Sequence, residues 1–240
     1  MRTSLIASLL LIMVSCAEIS IPTSFPTSIP TGSKPLTTAE ITEGLKEALK
    51  VGAKNSTGLA SQTDGFFKNS QIFIPFPPEA EKVKSTLIKA GFTKQVDEFT
   101  LTLNRAAEET TKKALPIFVD AITSMSISDA MGILKGEDNA ATEYLKRTTS
   151  SQLQMAFKPI ARDAINKVNL TSYWEPLATN YNRITLLTGG KAVNPNLEDY
   201  VTQKAIDGLF ILIAKEEKSI RENPAARVTD ILKRVFANTK

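Results

Sequence analysis

The chain has 240 residues, with 29 Lys and Arg against 25 Asp and Glu, no histidine and a single cysteine. These counts exclude Ser-His-Asp and Cys-His nucleophile systems, histidine-ligated zinc or haem, an internal disulfide, and cysteine-rich zinc or iron–sulfur sites. The net charge of +4 becomes +3 (28 minus 25) when a leader containing Arg2 is removed, and so small a charge gives nucleic-acid binding no electrostatic support. We therefore expect no cofactor, no bound metal ion and no nucleic-acid partner.

The first fifteen residues have the pattern of a signal peptide. Arg2 provides a positive end, and the apolar run from Leu5 to Val14 is shorter than the ~20 residues that a bilayer span needs. The four residues that end at Cys16 resemble a bacterial lipobox, although Met13 stands in place of the usual Leu. This resemblance implies cleavage before Cys16 and a lipid on its thiol. The alternative is an ordinary secretory peptide with an incidental cysteine.

The residue after the cysteine bears on the destination. Ala17 stands there rather than Asp, which by analogy with enteric sorting favours the outer membrane over the inner one. The expected location is the cell envelope, lipid-anchored at the outer membrane and facing the periplasm or the cell surface. The membrane is then a partner through the lipid on Cys16.

A proline-rich repeat follows the predicted anchor. Pro22, Pro26 and Pro30 recur at every fourth residue, and because proline lacks an amide donor and fixes φ, neither a helix nor a central strand forms there. In polyproline II geometry such a tract extends by ~3.1 Å per residue. We expect residues 16–36 to be the lipid anchor and tether and residues 37–240 to be a single helical domain.

Apolar spacing and helix-end signals in this domain predict an all-α fold, a bundle of eight or nine helices with at most one short edge strand. Thr37 and Glu40 have the spacing of a capping box that starts the first helix. The apolar, proline-interrupted segment 71–77 is the candidate for the edge strand. Pro78 then starts a second helix, which Gly91 ends.

The next helices are predicted from prolines, glycines and caps. A long helix is expected from Thr93 to about Ser124, kinked or divided by Pro116. Ser126 caps the following helix and Gly136 ends it.

The last third of the chain shows the same signals. One helix is predicted from Asp138 through Leu145, and a second capping box at 149–152 opens another helix with a bend at Pro159. A helix from about 197 to 221 follows, and Asn223-Pro224 starts a terminal helix. Trp174 is expected to cap the core.

A family resemblance is carried by nine short segments: 44–49, 64–69, 74–77, 104–108, 129–136, 140–144, 207–210, 216–217 and 220–224. Together they resemble a bacterial family of predicted lipoproteins labelled domain of unknown function 4197. The segments span nearly the whole expected domain. The resemblance implies an exported, helical, membrane-anchored protein, and it supplies no catalytic residues.

The candidate functional residues centre on Asp207. It precedes residues 208–214, which carry no polar side chain, and a helix that is apolar on every side is buried. We therefore expect Asp207 in the core, where a carboxylate needs a cation such as Arg105 or several hydrogen bonds. Glu108 follows Arg105 by one turn, and Glu217 and Arg221 form a second pair at i,i+4 spacing. The complete candidate set is Asn104, Arg105, Glu108, Asp129, Thr142, Tyr144, Asp207, Glu216, Glu217 and Arg221.

Two interpretations of this set stay open. One is a buried salt-bridge network that fixes the register of the helices. The other is a polar pocket for a ligand or a hard cation, with oxygen ligands from Glu108, Asp129, Asp207 and Glu216. Paired carboxylates also perform acid–base hydrolysis, which makes a carboxylate-based hydrolase a further alternative.

The function expected from these observations is that of a non-enzymatic, lipid-anchored binding or scaffold protein of the cell envelope. Its partner would be an envelope protein or a small ligand. A helical lipoprotein with a ligand pocket between its helices and the hydrolase are the alternatives.

Overall fold

The computed structural model describes residues 36–89, 91–167 and 196–223, together with 174, 178–179, 182–183, 186, 192, 227 and 233–235. Within them lie seven α-helices and one short 3-10 helix, Pro78–Ala80, and no strand. The all-α prediction is confirmed, with seven helices described where eight or nine were predicted. The α-helices are α1 Thr38–Ser61, α2 Glu81–Lys89, α3 Thr93–Thr111, α4 Ala114–Thr123, α5 Ile127–Lys135, α6 Ala140–Lys167 and α7 Leu197–Glu222.

Several predictions fall outside the described residues. The leader, the anchor at Cys16 and the tether up to residue 35 are among them. Most of the terminal helix predicted after Asn223 also lies there.

The first helix begins where its capping box predicts. The Thr37 backbone N–H donates to Oε2 of Glu40 at 2.8 Å, and the Glu40 N–H donates to Oγ1 of Thr37 at 3.2 Å. The two residues thus satisfy each other's unpaired amide donors. Ser126 and Asp129 form the same reciprocal arrangement at the start of α5, and Gly136 caps its end.

The predicted long helix is divided, as Pro116 requires. α3 ends at Thr111 and α4 begins at Ala114. A proline in a helix removes its own N–H and clashes with the carbonyl four residues earlier, which here is that of Lys112. The break at 112–113 therefore lies where the proline disfavours a continuous helix, and the prediction is confirmed.

The second predicted capping box, at 149–152, is wrong. These residues lie inside α6, which continues from Ala140 to Lys167 and through Pro159. Thr149 is buried, and its hydroxyl donates to the carbonyl of Leu145 at 2.6 Å, an interior helix bond rather than a cap. The buried positions Leu145, Thr149 and Leu153 continue one stripe at intervals of four, so the apolar face has no interruption.

The core forms where α7 packs against α1, α3 and α6. Gly208 allows the loop after α1 to approach α7 closely, since a Cβ at this position would lie 2.7 Å from the Phe66 ring and 3.2 Å from Ile72. Phe118 of α4 meets Phe210 of α7 edge-on, with ring centroids 5.9 Å apart. These contacts join the helices through one continuous set of buried apolar side chains.

Taken singly, no helix in the described ranges combines the length and the apolar character of a membrane span. The segments Thr93–Thr123 and Ile127–Lys135 meet the requirement only as a pair, bent by 103° at their break.

Candidate functional site

Asn104 binds the backbone of the segment that follows the first loop. Its side-chain Oδ1 accepts the backbone N–H of Ile74 at 2.8 Å, and its Nδ2 donates to the Ile74 carbonyl at 2.8 Å. The amide thus pairs with this backbone as a neighbouring strand would. Ile72, Ile74 and Phe76 point into the core, while Phe73 and Gln71 are exposed. The candidate edge strand at 71–77 does not form: the N–H groups of Ile72 and Phe73 donate to the Asn69 carbonyl in a turn, and Ile74 pairs with the Asn104 side chain instead of with a strand.

Arg105 and Glu108 lie together, as their spacing predicts, in a cluster that also contains Asp64. The Arg105 guanidinium donates to Glu108 Oε2 at 2.6 Å and to Asp64 Oδ1 at 2.5 Å. Lys68 forms an ion pair with the other oxygen of Asp64 at 2.8 Å. Two carboxylates thus meet two cations, and the charges of the cluster cancel.

Glu108 is also bonded to the backbone of the loop. It is 4% exposed, and its Oε1 accepts the N–H groups of Phe66 and Phe67 at 3.2 and 3.3 Å. The Arg105 guanidinium lies 5.8 Å from the centre of the Phe67 ring. A buried carboxylate with two amide donors and a guanidinium is fully satisfied, which removes the large cost of burying it.

Asp64 was absent from the predicted set. Its φ is 68°, a left-handed conformation that Asp tolerates better than most residues. The next residue has to be Gly65, because a Cβ there would lie 2.4 Å from the Leu59 carbonyl oxygen. The Asp-Gly dipeptide after a helical stretch is a turn signal that sequence reasoning could have used.

Glu217 and Arg221 form a second cluster, near the C-terminal end of α7. Glu217 Oε1 accepts from Nη2 of Arg221 at 2.8 Å and from the Ala141 N–H at 3.0 Å. Its Oε2 accepts the Thr142 N–H at 2.9 Å and the Thr142 hydroxyl at 2.7 Å. The predicted pair Glu217–Arg221 is present, and Thr142, another residue of the candidate set, bonds to Glu217.

This second cluster joins the ends of two other helices. Ala141 and Thr142 lie in the first turn of α6, where amide donors lack intrahelical partners and the helix dipole is positive. Arg221 donates to the carbonyl of Ile133, in the last turn of α5, at 3.1 Å. The carboxylate thus meets a helix N-terminus and the guanidinium meets a helix C-terminus, each at the end with the complementary dipole.

Asp129 and Tyr144 belong to neither cluster. Asp129 accepts from the Ser126 hydroxyl at 2.6 Å within the capping box. The Tyr144 hydroxyl donates to the carbonyl of Ala121 at 3.3 Å, between α6 and α4. Asp129 thus stabilises the start of α5, and Tyr144 links α6 to α4.

Asp207 requires a correction. It is half-buried and accepts from Nε2 of Gln203 at 2.8 Å, whereas Arg105 is paired with Asp64 and Glu108. The expected burial and the expected pairing with Arg105 are wrong. The apolar run is not buried all round, because Ile211 is 45% exposed and Asp207 lies one turn earlier on the same face.

Glu216 forms a hydrogen bond with α1. Its Oε1 accepts from Nδ2 of Asn55 at 2.6 Å. Glu108, Asp129, Asp207 and Glu216 therefore share no hydrogen-bond partner in the described ranges. Nor do these ranges contain a group of three or more acidic or cysteine side chains placed to hold a metal ion. The structure does not assemble the four carboxylates into one set of oxygen ligands.

Hydrogen bonding and burial shift the pKa values of Asp64, Asp129 and Tyr144. Hydrogen bonds from Lys68 and then Arg105 lower the pKa of the Asp64 carboxyl below its usual value. The Ser126 hydroxyl and N–H lower the pKa of Asp129 in the same way. Burial raises the pKa of the Tyr144 phenol. The ionised forms of Asp64 and Asp129 are thus stabilised by the donors that they bind.

Comparison with known proteins gives one match. The family model described as "Protein of unknown function (DUF4197)" matches residues 35–237, nearly all of the domain, and confirms the resemblance seen in the sequence segments. The searches of curated proteins and of solved structures gave no match.

Proposed function

The chain belongs to the family described as "Protein of unknown function (DUF4197)", and we propose that it is an exported, lipid-anchored envelope protein whose helical domain acts by binding or scaffolding. The observation that supports this proposal is the way the buried charges are used. Glu108 and Glu217 each accept two backbone N–H groups and a guanidinium of the chain itself. Groups so fully bonded maintain the arrangement of the helices, which leaves function to the surface that they hold in place.

The anchor is supported by the apolar run that ends at Ser15-Cys16. Replacement Cys16→Ser removes the only thiol that can carry the lipid. We expect this variant, expressed in a Gram-negative host, to lose incorporation of radiolabelled palmitate and to leave the membrane fraction or remain unprocessed. Ser20→Ala, just beyond the predicted cleavage site, is the matched control. A Cys16→Ser protein that fractionates and migrates like the parent contradicts the proposal.

A second function, ligand binding between the helices, is favoured by one observation. Trp174 is 3% exposed, and its Nε1 has no hydrogen-bond partner within the described residues. Its ring lies 5.8 Å from those of Phe76 and Phe99. A buried N–H without an acceptor is costly, and an acceptor on a bound molecule would remove that cost.

Native mass spectrometry of the protein from its own membranes tests this second function. A ligand that binds the indole N–H should appear as retained mass in the parent protein. Trp174→Phe keeps an aromatic ring without the N–H and should lose that mass, whereas Phe76→Leu tests for a general effect on the aromatic cluster. A parent protein without retained mass contradicts ligand binding at Trp174.

A further inference from the structure

Met155 is the most exposed methionine in the part of the chain that the structure describes. Three methionines lie in that part: Met125 is 3% exposed, Met131 is half-buried, and Met155 is 70% exposed. The other two methionines of the sequence stand at positions 1 and 13, in the predicted leader. Among the described thioethers, that of Met155 is therefore the one most open to reagents dissolved in water.

The neighbours of Met155 along α6 leave its sulfur uncovered. Ser151 and Gln152, one turn earlier on the same side of the helix, are uncharged and exposed themselves. Lys158, one turn later, forms an ion pair with Asp199 of α7 at 2.7 Å, so its ammonium group is directed toward α7. The thioether thus lies on an open helix surface that is in contact with water.

Oxidation has different consequences at a buried and at an exposed methionine, because it converts an apolar side chain into a polar sulfoxide. Met125 belongs to the hydrophobic core, where a new polar oxygen without a hydrogen-bond donor is costly. At Met155 the new oxygen would face water, and the buried stripe of α6 at Leu153 and Phe157 would stay unchanged. The fold therefore tolerates oxidation at Met155.

We propose that Met155 is a reversible oxidation site that takes up oxygen from hydroperoxides. The sulfur lone pair attacks one peroxide oxygen and forms the S–O bond while the O–O bond breaks. The departing hydroxide takes the proton of the transferred oxygen and leaves as water, so the thioether is oxidised to a sulfoxide and the peroxide is reduced.

Reversal of this oxidation requires a second protein. The sequence has one cysteine, Cys16, so the chain contains no pair of thiols that could reduce the sulfoxide and close to a disulfide. The reaction that consumes the product is therefore reduction by a methionine sulfoxide reductase, whose thiols become a disulfide while the oxygen leaves as water. Met155 is accessible to such an enzyme for the same reason that it is accessible to peroxide.

Peptide mapping measures the oxidation of each methionine. The full chain, purified in detergent, is treated with hydrogen peroxide for a series of times, either folded or in urea, and is then digested with trypsin. Met155 is the only methionine in the tryptic peptide 148–162, whereas Met125 and Met131 share the peptide 114–135 and are distinguished by fragmentation. In the folded protein, Met155 should react within about threefold of its rate in urea, and Met125 should be slowed at least about tenfold, because its oxidation requires local opening.

Stability and reversal are measured on the protein oxidised at Met155. Its melting temperature should equal that of the parent, and reductases for both sulfoxide epimers, supplied with dithiothreitol, should remove the oxygen from the folded protein. Met155→Leu is the matched control, which should melt like the parent and gain no oxygen in the peptide 148–162.

Equal protection of Met155 and Met125 in the folded protein overturns the proposal, because the sulfur of Met155 would then be covered. A fall in the melting temperature on oxidation of Met155, or oxygen that stays after treatment with both reductases, also overturns it. None of these outcomes depends on whether Cys16 carries a lipid.

Discussion

Asp207 lies on the solvent-facing stripe of α7, and this position sets its expected contribution to stability. Gln203 precedes it by one turn, Ile211 follows it by one turn, and both are exposed. We expect Asp207→Ala to lower the free energy of unfolding by ~0.5 kcal/mol or less, because a half-exposed acid with one amide partner is readily replaced by solvent. Glu43→Ala, at an exposed site on α1, should have an effect of the same size. A loss of several kcal/mol at Asp207 alone, measured by urea denaturation, would contradict this assignment.

Asp64 links stability to pH. Its folded pKa is lowered by Lys68 and Arg105 from an unfolded value of 3.8. The stabilisation is therefore fully present above about pH 4 and is lost as the pH falls through the folded pKa. Asn tolerates the same left-handed backbone, so Asp64→Asn removes the charge with little strain.

We expect Asp64→Asn to be less stable than the parent at pH 7 and to approach it as the pH falls through the lowered folded pKa of Asp64, because below that pKa both proteins carry an uncharged side chain. Thermal unfolding at a series of pH values measures the difference. Asp97→Asn, at an exposed site on α3, is the control and should follow the parent throughout. An Asp64→Asn curve parallel to that of the parent at all pH values would rule out the linkage.

Glu217 acts at the scale of helices, since it joins α7 to the start of α6 and, with Arg221, to the end of α5. Glu217→Ala leaves the Arg221 guanidinium without its carboxylate and two amide donors without an acceptor. Breaking a buried pair in this way costs ~3–5 kcal/mol. Glu222→Ala removes an exposed acid of the same helix, which pairs with Lys218 at 3.7 Å, and should cost ~0.5 kcal/mol or less. Equal changes in the urea midpoints of the two variants would contradict the role assigned to Glu217.

Two glycines in helices should respond to alanine with opposite signs. At Gly208 of α7 a Cβ would lie 2.7 Å from the Phe66 ring, and overpacking of this kind costs ~1–3 kcal/mol. At Gly58 of α1 a Cβ would have no atom within 4 Å, so Gly58→Ala should stabilise the helix by up to ~1 kcal/mol. Measured by calorimetry, the melting temperature of Gly58→Ala should therefore lie above that of the parent, and the melting temperature of Gly208→Ala should lie below it. Destabilisation by Gly58→Ala, or no effect of Gly208→Ala, would show that the loop after α1 packs differently.

Across the whole molecule, sequence patterns predicted the features that depend on nearby residues. The capping box at Thr37, the divided helix before Pro116 and the pair Glu217–Arg221 arise from spacings of three or four residues. The contacts that these patterns did not predict join segments that are far apart in the chain. The partner of Arg105 at Asp64 is 41 positions away, and the amide donors that face Glu217 are 75 and 76 positions away.

The errors have the same origin. Residues 208–214 are apolar throughout, so the sequence does not indicate which side of this helix faces solvent. The elements packed against the helix decide that, and they leave Ile211 exposed. Thr149 has the spacing of a helix cap, yet the apolar stripe from Leu145 to Leu153 needs a continuous helix, and tertiary packing overrides the local signal.

The bridge formed by Glu217 and Arg221 has a consequence for how the molecule opens. α5 has nine residues, too few for a helix to persist in water by itself. Its last turn, the first turn of α6 and the end of α7 are joined through two side chains, so they should unfold locally as one cooperative unit. In hydrogen–deuterium exchange, the amides near Ile133 and Thr142 should then share one opening free energy. Glu217→Ala should lower that value at both positions together, while the amides of the middle of α1 keep their protection.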